Sequence, residues 1–418
     1  RGRGRGLQGP ELDALEQRLN QEGAPQQSEI EAAATLYAEG EKEEAGKRAQ
    51  ELTERFPQHP FGWKLLGGVL YGKRAYPEAL EATQKAAAFD PEDAETLRNL
   101  GLMLKEAGLA AEAQSALERA VALEPDNAKG HIYLGATLHE MGSLAAAHAG
   151  IRAALALEPD NLQALSSLAV VLDHLGRPAE AMEAYRRVLQ QSPDDSDAHG
   201  NMLFCMSHMD NFSAEELFQE HLLFGQRLEK RLGAPRPAET SPEPDRALRI
   251  GFVSGDLRKH AVASFIEPLF RQLGSHPGLV VHAYYNHPVS DDTTMLLRGL
   301  VAQWRDVARL DDKSLHALIR EDGIDILIDL SGPTGHHRLP LFARKPAPVQ
   351  VSWLGYPGTT GLSAMDYYLC DAHMVPPGRF DHLFREALVQ LPAVAPFAPQ
   401  EVGPGVNALP ALAIGYLR

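Results

Sequence analysis

Residues 95–128 read ETLRNLGLMLKEAGLAAEAQSALERAVALEPDNA and contain two helical patterns separated by a glycine. In the first pattern, apolar residues from Leu97 to Leu104 recur at spacings of three and four, which is the period of an amphipathic helix. Gly108 interrupts this pattern, and a second apolar stripe rich in alanine follows. Pro125 ends the second stripe, because proline lacks the N–H that a helix interior needs. The stretch therefore predicts a helix–turn–helix unit.

The same unit recurs through the first half of the chain with a period of 34 residues. The spacing is kept by prolines (Pro57, Pro91, Pro125, Pro159, Pro193), alanines (Ala45, Ala79, Ala113, Ala147, Ala181), leucines (Leu66, Leu100, Leu134, Leu168) and glycines (Gly67, Gly101, Gly135). This period is typical of tetratricopeptide repeats, which stack because one helix pair cannot bury its apolar face alone. We predict repeats that start at Gln27, Phe61, Glu95, Lys129 and Gln163, with a degenerate sixth at Asp197.

Composition excludes several classes of protein. The chain has 418 residues, enough for two or three domains, and a formal net charge of −16, which disfavours nonspecific nucleic-acid binding. It contains no apolar run long enough to cross a membrane, and Arg1 to Gly6 lack the apolar core of a signal peptide. Cys205 and Cys370 lie far apart, so no disulfide framework is indicated. We expect a cytoplasmic protein with no membrane or nucleic-acid partner, and the oligomeric state stays open.

Changes in composition divide the chain into five segments. A proline-rich stretch forms the clearest boundary, because closely spaced prolines make a semi-rigid, extended linker. The segments are a flexible N-terminal part (1–26), a repeat superhelix with an atypical last repeat (27–233), the linker (234–246), an α/β lobe (247–395) and the start of an inter-lobe connection (396–418).

The lobe after the linker has the pattern of a parallel α/β sheet. Strands are predicted at 248–254, 280–285, 324–330, 349–354 and 365–370, and a helix at 312–322. Alternating strands and helices indicate a doubly wound sheet, in which ligands bind beyond the carboxyl ends of the strands.

Three of the segments that follow these strands are rich in glycine, hydroxyl groups and histidine: 255–260, 331–337 and 355–361. Glycine lets the backbone approach a ligand closely, and a helix that starts near Ala263 would favour an anion at its N-terminus. The chain has no G-x-G-x-x-G after the first strand and no Walker loop, which disfavours dinucleotide and P-loop sites.

Three runs carry a specific resemblance: RIGFVSGDLRKHAVASFIEPL at 249–269, DGIDILIDL at 322–330 and RKPAPVQVSWLGYPGTTG at 344–361. They resemble the tetratricopeptide-bearing protein O-linked N-acetylglucosamine transferases and their plant SPINDLY-like relatives, which are inverting glycosyltransferases. The resemblance extends over residues 27–392. It implies an α-solenoid followed by an α/β Rossmann-like lobe, the first half of a GT-B fold. The second lobe of that fold would begin where this sequence ends, so the resemblance implies that this chain alone is incomplete and inactive.

The resemblance also implies an activity and its substrates. The donor would be a nucleotide sugar, with UDP-N-acetylglucosamine expected, and the acceptor a Ser or Thr hydroxyl of a protein that the repeats bind. No metal ion or other cofactor is implied. His260 is the implied catalytic residue, and the ordinary pKa of histidine, about 6.5, suits a general base.

Other positions match the family's cleft and groove. The candidate substrate-binding residues are Asp256, Gly332, Pro333, Thr334, Tyr356, Pro357, Gly358, Thr359 and Thr360. The candidate acceptor-groove residues are Asn99, Tyr133, Ser167 and Asn201. Asp256 is expected either to cap the following helix or to orient His260. Pro333 departs from the Gly-His-Thr of bacterial relatives, and most asparagines of the animal groove are replaced.

Alternative interpretations remain at this point. A nonenzymatic tetratricopeptide scaffold with an inactive lobe is one, and the same chemistry with another donor, such as GDP-fucose, is a second. Asp325 and Asp329 alternate along one predicted strand and resemble a glycosidase carboxylate pair, but we expect Asp325 to be structural and Asp329 to face the cleft. Trp353 is expected in the core.

Overall fold

A computed structural model describes residues 24–233 and 246–395, and the chain divides into two compact units, Arg1–Phe212 and Ser213–Arg418. The predicted N-terminal segment lies outside the described residues up to residue 23. The proline-rich linker lies outside them over residues 234–245, and so does the predicted inter-lobe connection, 396–418.

The first unit is an array of helix pairs. Its helices are α1 (Gln27–Ala38), α2 (Lys42–Arg55), α3 (Pro60–Gly72), α4 (Tyr76–Phe89), α5 (Ala94–Glu106), α6 (Ala110–Leu123), α7 (Ala128–Glu140), α8 (Leu144–Leu157), α9 (Leu162–His174), α10 (Pro178–Gln191) and α11 (Ser196–Met206). The first helix of every repeat begins within one residue of its predicted start. The predicted tetratricopeptide solenoid is confirmed.

Short polar side chains and glycines punctuate these helices. The side chains of Asp93, Asn127 and Asn161 accept backbone N–H groups in the first turn of α5, α7 and α9, which satisfies donors that have no partner within the helix. Gly108 and Gly142 end α5 and α7 with φ of +78° and +75°, a region where side chains are strained. The polar residue two positions after each repeated proline and the repeated glycine therefore set the helix boundaries.

The alanine and glycine ladders allow the two helices of a repeat to approach closely. Ala113 and Ala147 are completely buried. A Cβ atom at Gly135 in α7 would lie only 2.6 Å from Cγ1 of Ile151 in α8. The period seen in the sequence is thus a packing requirement, because a larger residue at either ladder would push the helices apart.

The second unit is a seven-stranded sheet with flanking helices. Its helices are α12 (Ala214–Leu232), α13 (Ala261–Gly274), α14 (Asp292–Arg298), α15 (Asp312–Glu321) and α16 (Leu339–Phe342); its strands are β1 (Leu248–Ser254), β2 (Leu279–Tyr285), β3 (Gln303–Asp306), β4 (Ile326–Asp329), β5 (Val349–Ser352), β6 (Tyr367–Asp371) and β7 (Ala387–Leu391). The order is β3-β2-β1-β4-β5-β6-β7, and every pair is parallel. The predicted Rossmann-like lobe is confirmed.

Strand β1 is the point from which the sheet grows in both directions. It pairs with β2 on one side and with β4 on the other, which makes the gap beyond β1 and β4 a topological switch point. Phe252, Phe270 and Tyr285 pack in the core beside β1, and Trp353 joins them as expected, its indole N–H donating to the Val394 carbonyl. The core therefore fixes the sheet edge where the polar loops emerge.

Helix α12 belongs to the second unit, although the sequence grouped it with the repeats. Glu229 in α12 accepts the backbone N–H and the hydroxyl of Ser363. A Cβ atom at Gly225 would lie 2.0 Å from the carbonyl oxygen of Gly361, so helix and loop touch backbone to backbone. The second unit begins at Ser213, before α12, whereas the predicted linker begins only after this helix.

The packing of the repeats can be tested with two glycines. Gly135→Ala should lower the free energy of unfolding by about 1–3 kcal/mol, because the added methyl group collides with Ile151. Gly150→Ala is the matched control: its Cβ would meet nothing closer than 3.6 Å, and alanine favours a helix by up to about 1 kcal/mol. Urea unfolding of both variants checks the sign. Equal effects would contradict the packing argument.

Candidate functional site

Loops that follow neighbouring strands contact each other at the carboxyl edge of the sheet. A Cβ atom at Gly255, after β1, would lie 2.8 Å from Cβ of His336, after β4. A Cβ atom at Gly332 would lie 2.4 Å from Cβ of Tyr356, after β5. The Asn286 side chain, after β2, donates to the His336 carbonyl at 2.7 Å. The three loops expected to meet therefore do meet, and a fourth loop joins them.

His260 lies at the start of helix α13 and is the N-cap of that helix. Its Nδ1 accepts the backbone N–H of Val262 at 3.3 Å, and the side chain is 43% exposed. The Asp256 carboxylate lies 3.9 Å from the same Nδ1. His260 itself, and not Asp256, therefore caps helix α13. Asp256 lies beside the imidazole, which is the position expected for its other role.

The hydrogen bond to Val262 fixes the tautomer of His260. A neutral imidazole has one acceptor nitrogen, so an N–H donated to Nδ1 places the ring proton on Nε2. The other tautomer needs an acceptor for a proton on Nδ1, and the Asp256 carboxylate is the neighbouring group that can supply it. Exchange of the helix cap for this carboxylate requires a change of tautomer, in which the ring loses the proton on Nε2 and gains one on Nδ1, and Nε2 then has a free lone pair.

Further histidines lie at this edge of the sheet. The rings of His287 and His336 meet at 4.9 Å, and burial lowers the pKa of His287, with the Arg258 charge acting in the same direction. His337 accepts the backbone N–H of Leu339. Within residues 24–233 and 246–395, no group of three or more His, Cys, Asp or Glu side chains is placed to hold a metal ion.

Asp329 is completely buried, and the expectation that it faces the cleft is wrong. Its carboxylate accepts the backbone N–H groups of Ser331 and Gly332 at 3.2 and 2.8 Å. Burial raises the pKa of Asp329 to about 7, the two N–H groups oppose this shift, and the charge of Glu386 adds to it. Asp329 is the last residue of β4, and it is buried because the 331–337 loop turns over it.

Asp325 is structural, as expected. Both of its oxygens bind the Arg246 guanidinium, which holds the pKa of Asp325 below its usual range. With one carboxylate ion-paired and Asp329 buried, the two do not flank an open site, and the glycosidase interpretation loses its basis.

The 331–337 loop buries most of its candidate residues. Gly332 has no side chain and adopts a φ of +58°. Pro333 is buried, so its side chain is not available to a ligand either. Thr334 is half-buried, and its hydroxyl donates to the Ser331 carbonyl at 2.8 Å. The buried Pro333 therefore serves packing.

The 355–361 loop is similarly closed. Tyr356 is buried, and its hydroxyl lies 3.0 Å from Nε2 of His221. Thr359 and Thr360 are also buried, and both hydroxyls donate to the carboxylate of Glu386. Of the substrate-binding residues predicted in this loop, Pro357 is exposed and Gly358 half-buried.

Sequence reasoning missed two residues of this site, His221 and Glu386. Neither lies in the loop motifs, and His221 is 135 residues away from Tyr356 along the chain. A usable signal existed only for Glu386: two adjacent threonines in a buried turn need an acceptor, and buried hydroxyls are nearly always satisfied.

The candidate groove residues lie on the first helices of successive repeats. Asn99, Tyr133, Ser167 and Asn201 occupy α5, α7, α9 and α11 and are all half-buried. Neighbouring first helices are also linked at their last turns, where Lys105 donates to Glu140 at 2.9 Å. The four residues therefore occupy equivalent positions on successive first helices, and their role in acceptor binding stays a prediction.

Comparison with known sequences finds similarity for both parts of the chain. Residues 197–397 match the profile of glycosyl transferase family 41, and residues 30–94 and 138–196 match a tetratricopeptide repeat profile. The probable UDP-N-acetylglucosamine–peptide N-acetylglucosaminyltransferase SPINDLY of Petunia hybrida is 35% identical over 230 residues, 51% of this chain and 23% of that protein. The UDP-N-acetylglucosamine–peptide N-acetylglucosaminyltransferase of Caenorhabditis elegans is 35% identical over 156 residues, 36% of this chain and 13% of that protein.

A solved structure agrees with these matches. A mutant of the O-GlcNAc transferase of Thermobaculum terrenum is 36% identical, with a TM-score of 0.70 over 74% of this chain and 59% of that chain. The matched region thus spans less than a quarter of each of the two curated relatives. In residues 24–233 and 246–395, no helix is long and apolar enough to cross a membrane.

The buried carboxyl group of Asp329 makes a testable prediction about pH. Because its folded pKa is raised to about 7, above about 3.9 when unfolded, its contribution to stability is present in acid and is lost as pH rises through 7. The destabilisation caused by Asp329→Asn should therefore shrink between pH 5 and pH 8 in urea unfolding.

Asp325→Asn is the control, because the pKa of Asp325 is lowered and its contribution should stay constant over the same range. A carbon-13 titration of the Asp329 carboxyl group gives the direct check. A midpoint below pH 5 would contradict the prediction.

Proposed function

Because the chain joins tetratricopeptide repeats to a glycosyl transferase family 41 segment, we propose that it acts as a protein O-glycosyltransferase. The proposed reaction moves a sugar from a nucleotide sugar to a Ser or Thr hydroxyl of an acceptor protein, with inversion at the anomeric carbon. The proposed place of action is the cytoplasm.

One observation carries this proposal. Loops from four strands meet at the switch point of a family 41 lobe, and one of them, the loop after β1, carries an accessible imidazole, His260, beside the carboxylate of Asp256. A switch point is where open α/β sheets bind their ligands. An imidazole held by a carboxylate is a common arrangement for removing a proton near neutral pH.

The proposed chemistry is a direct displacement. The acceptor oxygen attacks the anomeric carbon, the bond from that carbon to the diphosphate oxygen breaks, and the hydroxyl proton passes to Nε2 of His260. For Nε2 to accept this proton, the ring must carry its other proton on Nδ1, facing Asp256 rather than the Val262 N–H. The diphosphate leaves with both electrons of the broken bond. A second lobe would stabilise its charge, and the proposal requires no metal ion.

The proposed donor is UDP-N-acetylglucosamine. The names of the Petunia and Caenorhabditis relatives support this donor, and the Thermobaculum protein is named for the same sugar. GDP-fucose is the alternative donor within the same chemistry. The repeats would bind the acceptor proteins, which fits the role of tetratricopeptide arrays as protein-binding surfaces.

A nonenzymatic scaffold is the second candidate function, and Pro333 is the observation that favours it. Pro333 is buried, and the family resemblance implies a polar residue at its position, so Pro333 cannot make the polar contact that the resemblance implies. Incubation of the full gene product with candidate nucleotide sugars and a bacterial lysate, followed by mass spectrometry, separates the two. A sugar mass on Ser or Thr supports the enzyme, and its absence with every donor supports the scaffold.

The proposed base predicts the outcome of three substitutions in the full gene product. His260→Ala should lower the rate of sugar transfer about 10²–10⁴-fold, because the acceptor proton loses its base. Asp256→Asn should lower the same rate to a smaller extent, because the amide holds the Nδ1–H tautomer less well.

His276→Ala is the matched control. His276 is also exposed, and its Nδ1 also accepts a backbone N–H two residues ahead, from Gly278 at 3.1 Å. The His276→Ala protein should therefore transfer sugar at the wild-type rate. Full activity of the His260→Ala protein would remove His260 from the mechanism.

A further inference from the structure

A buried carboxylate lies beneath the loop of residues 355–363. Glu386 is only 4% exposed and precedes strand β7. It accepts the Thr359 hydroxyl at 2.6 Å, and the Thr360 backbone N–H and hydroxyl at 2.8 and 2.5 Å. Three donors on one carboxylate offset the cost of burying its charge. This residue lies in none of the sequence motifs and has no role in the chemistry proposed above.

The carboxylate fixes the backbone of the loop through the two hydroxyl groups. Because each hydroxyl proton is directed to Glu386, the remaining lone pairs accept backbone N–H groups. Thr359 accepts those of Gly361 and Arg385 at 3.1 and 3.2 Å. Thr360 accepts that of Leu362 at 3.3 Å. Removing Glu386 would therefore release both side chains and the turn that they hold.

The opposite side of the loop is held by α12 of the same unit. The Tyr356 hydroxyl lies 3.0 Å from Nε2 of His221. A Cβ atom at Gly361 would lie 2.0 Å from the carbonyl oxygen of His221, so the loop contacts the backbone of this helix. Leu354, just before the loop, has φ of +64°, a strained conformation for a branched side chain that persists only where its surroundings impose it. The loop is thus held from two sides. At its tip Pro357 is exposed and Gly358 half-buried, and at its end the exposed Ser363 donates to Glu229 of α12.

We propose that Glu386 is a positioning residue of the candidate site. By fixing Thr359 and Thr360, it sets the position at which Pro357 and Gly358 contact the sugar nucleotide. The threonine hydroxyls act on the ligand only through this support, since both are buried and donate to the carboxylate. This inference rests on the proposed function, because it names the sugar nucleotide as the ligand.

Hydrogen exchange of the amides in residues 356–362 tests the support itself. In the full gene product, Glu386→Ala and Thr360→Val should raise exchange in this segment about tenfold or more. Glu386→Ala removes the acceptor of the buried donors, and Thr360→Val removes one of these donors. Thr360→Ser keeps the hydroxyl and should stay within about twofold of wild type. Glu267→Gln, an exposed carboxylate on α13 that pairs with Arg271, is the control and should change nothing.

Binding of UDP-N-acetylglucosamine, measured by calorimetry on the same proteins, tests the positioning role. Its Kd should rise about tenfold or more in Glu386→Ala and Thr360→Val and recover in Thr360→Ser. Unchanged exchange in 356–362, or exchange that rises equally in β1 and β4, would overturn the proposal. So would a loosened loop with an unchanged Kd, or a wild-type protein that does not bind this nucleotide.

The failure of the proposed function gives a different result. If the wild-type protein binds the sugar nucleotide and the variants weaken that binding, but no acceptor receives sugar, the positioning role stands and the transferase proposal falls. If sugar is transferred and the Glu386→Ala protein is unaffected in exchange and binding, the transferase proposal stands and the positioning role falls.

Discussion

The loops of the candidate site depend on carboxylates that are buried beneath them. A loop that turns back over a sheet edge loses water from its N–H and hydroxyl groups, and each such group needs a partner inside the protein. Asp329 supplies that partner for the 331–337 loop, and Glu386 for the 355–363 loop. Gly332 brings the two loops into contact at Tyr356. The shape of the switch-point edge follows from satisfying these donors.

His260 illustrates how one side chain serves the fold and the proposed chemistry. As the N-cap of α13 it accepts a backbone N–H at Nδ1, and this bond holds the proton on Nε2. The proposed base needs the opposite arrangement, with Nδ1–H directed to Asp256. The cap bond is long, at 3.3 Å, and the carboxylate stands 3.9 Å away from the same Nδ1. The helix cap and the proposed chemistry therefore require opposite tautomers of the same ring.

The sequence predicted those elements whose pattern is local. The repeat helices follow from a 34-residue period in small residues and prolines, and β1 and β2 from continuous apolar runs. Strands β3 and β7 were missed. Strand β3 carries no such run, and its strand conformation comes from pairing with β2, while β7 is a five-residue strand that pairs with β6. Helix α12 was assigned to the repeats for the same reason: its helical pattern is local, but the surface against which it packs is not.

The sequence by itself determined the solenoid, the class of the second lobe and the loops that meet at its edge, because periodicity and strand–loop order are properties of neighbouring residues. Tertiary structure alone decided what each polar side chain in those loops does. The sequence predicted Thr359, Thr360 and Tyr356 as ligand contacts. In the structure the two threonine hydroxyls donate to Glu386, and the Tyr356 hydroxyl is hydrogen-bonded with His221. Asp329 read as a cleft residue, and the turn above it excludes it from solvent. Hydrogen-bond partners and burial depend on which segments the fold brings together, and no spacing in the sequence encodes that.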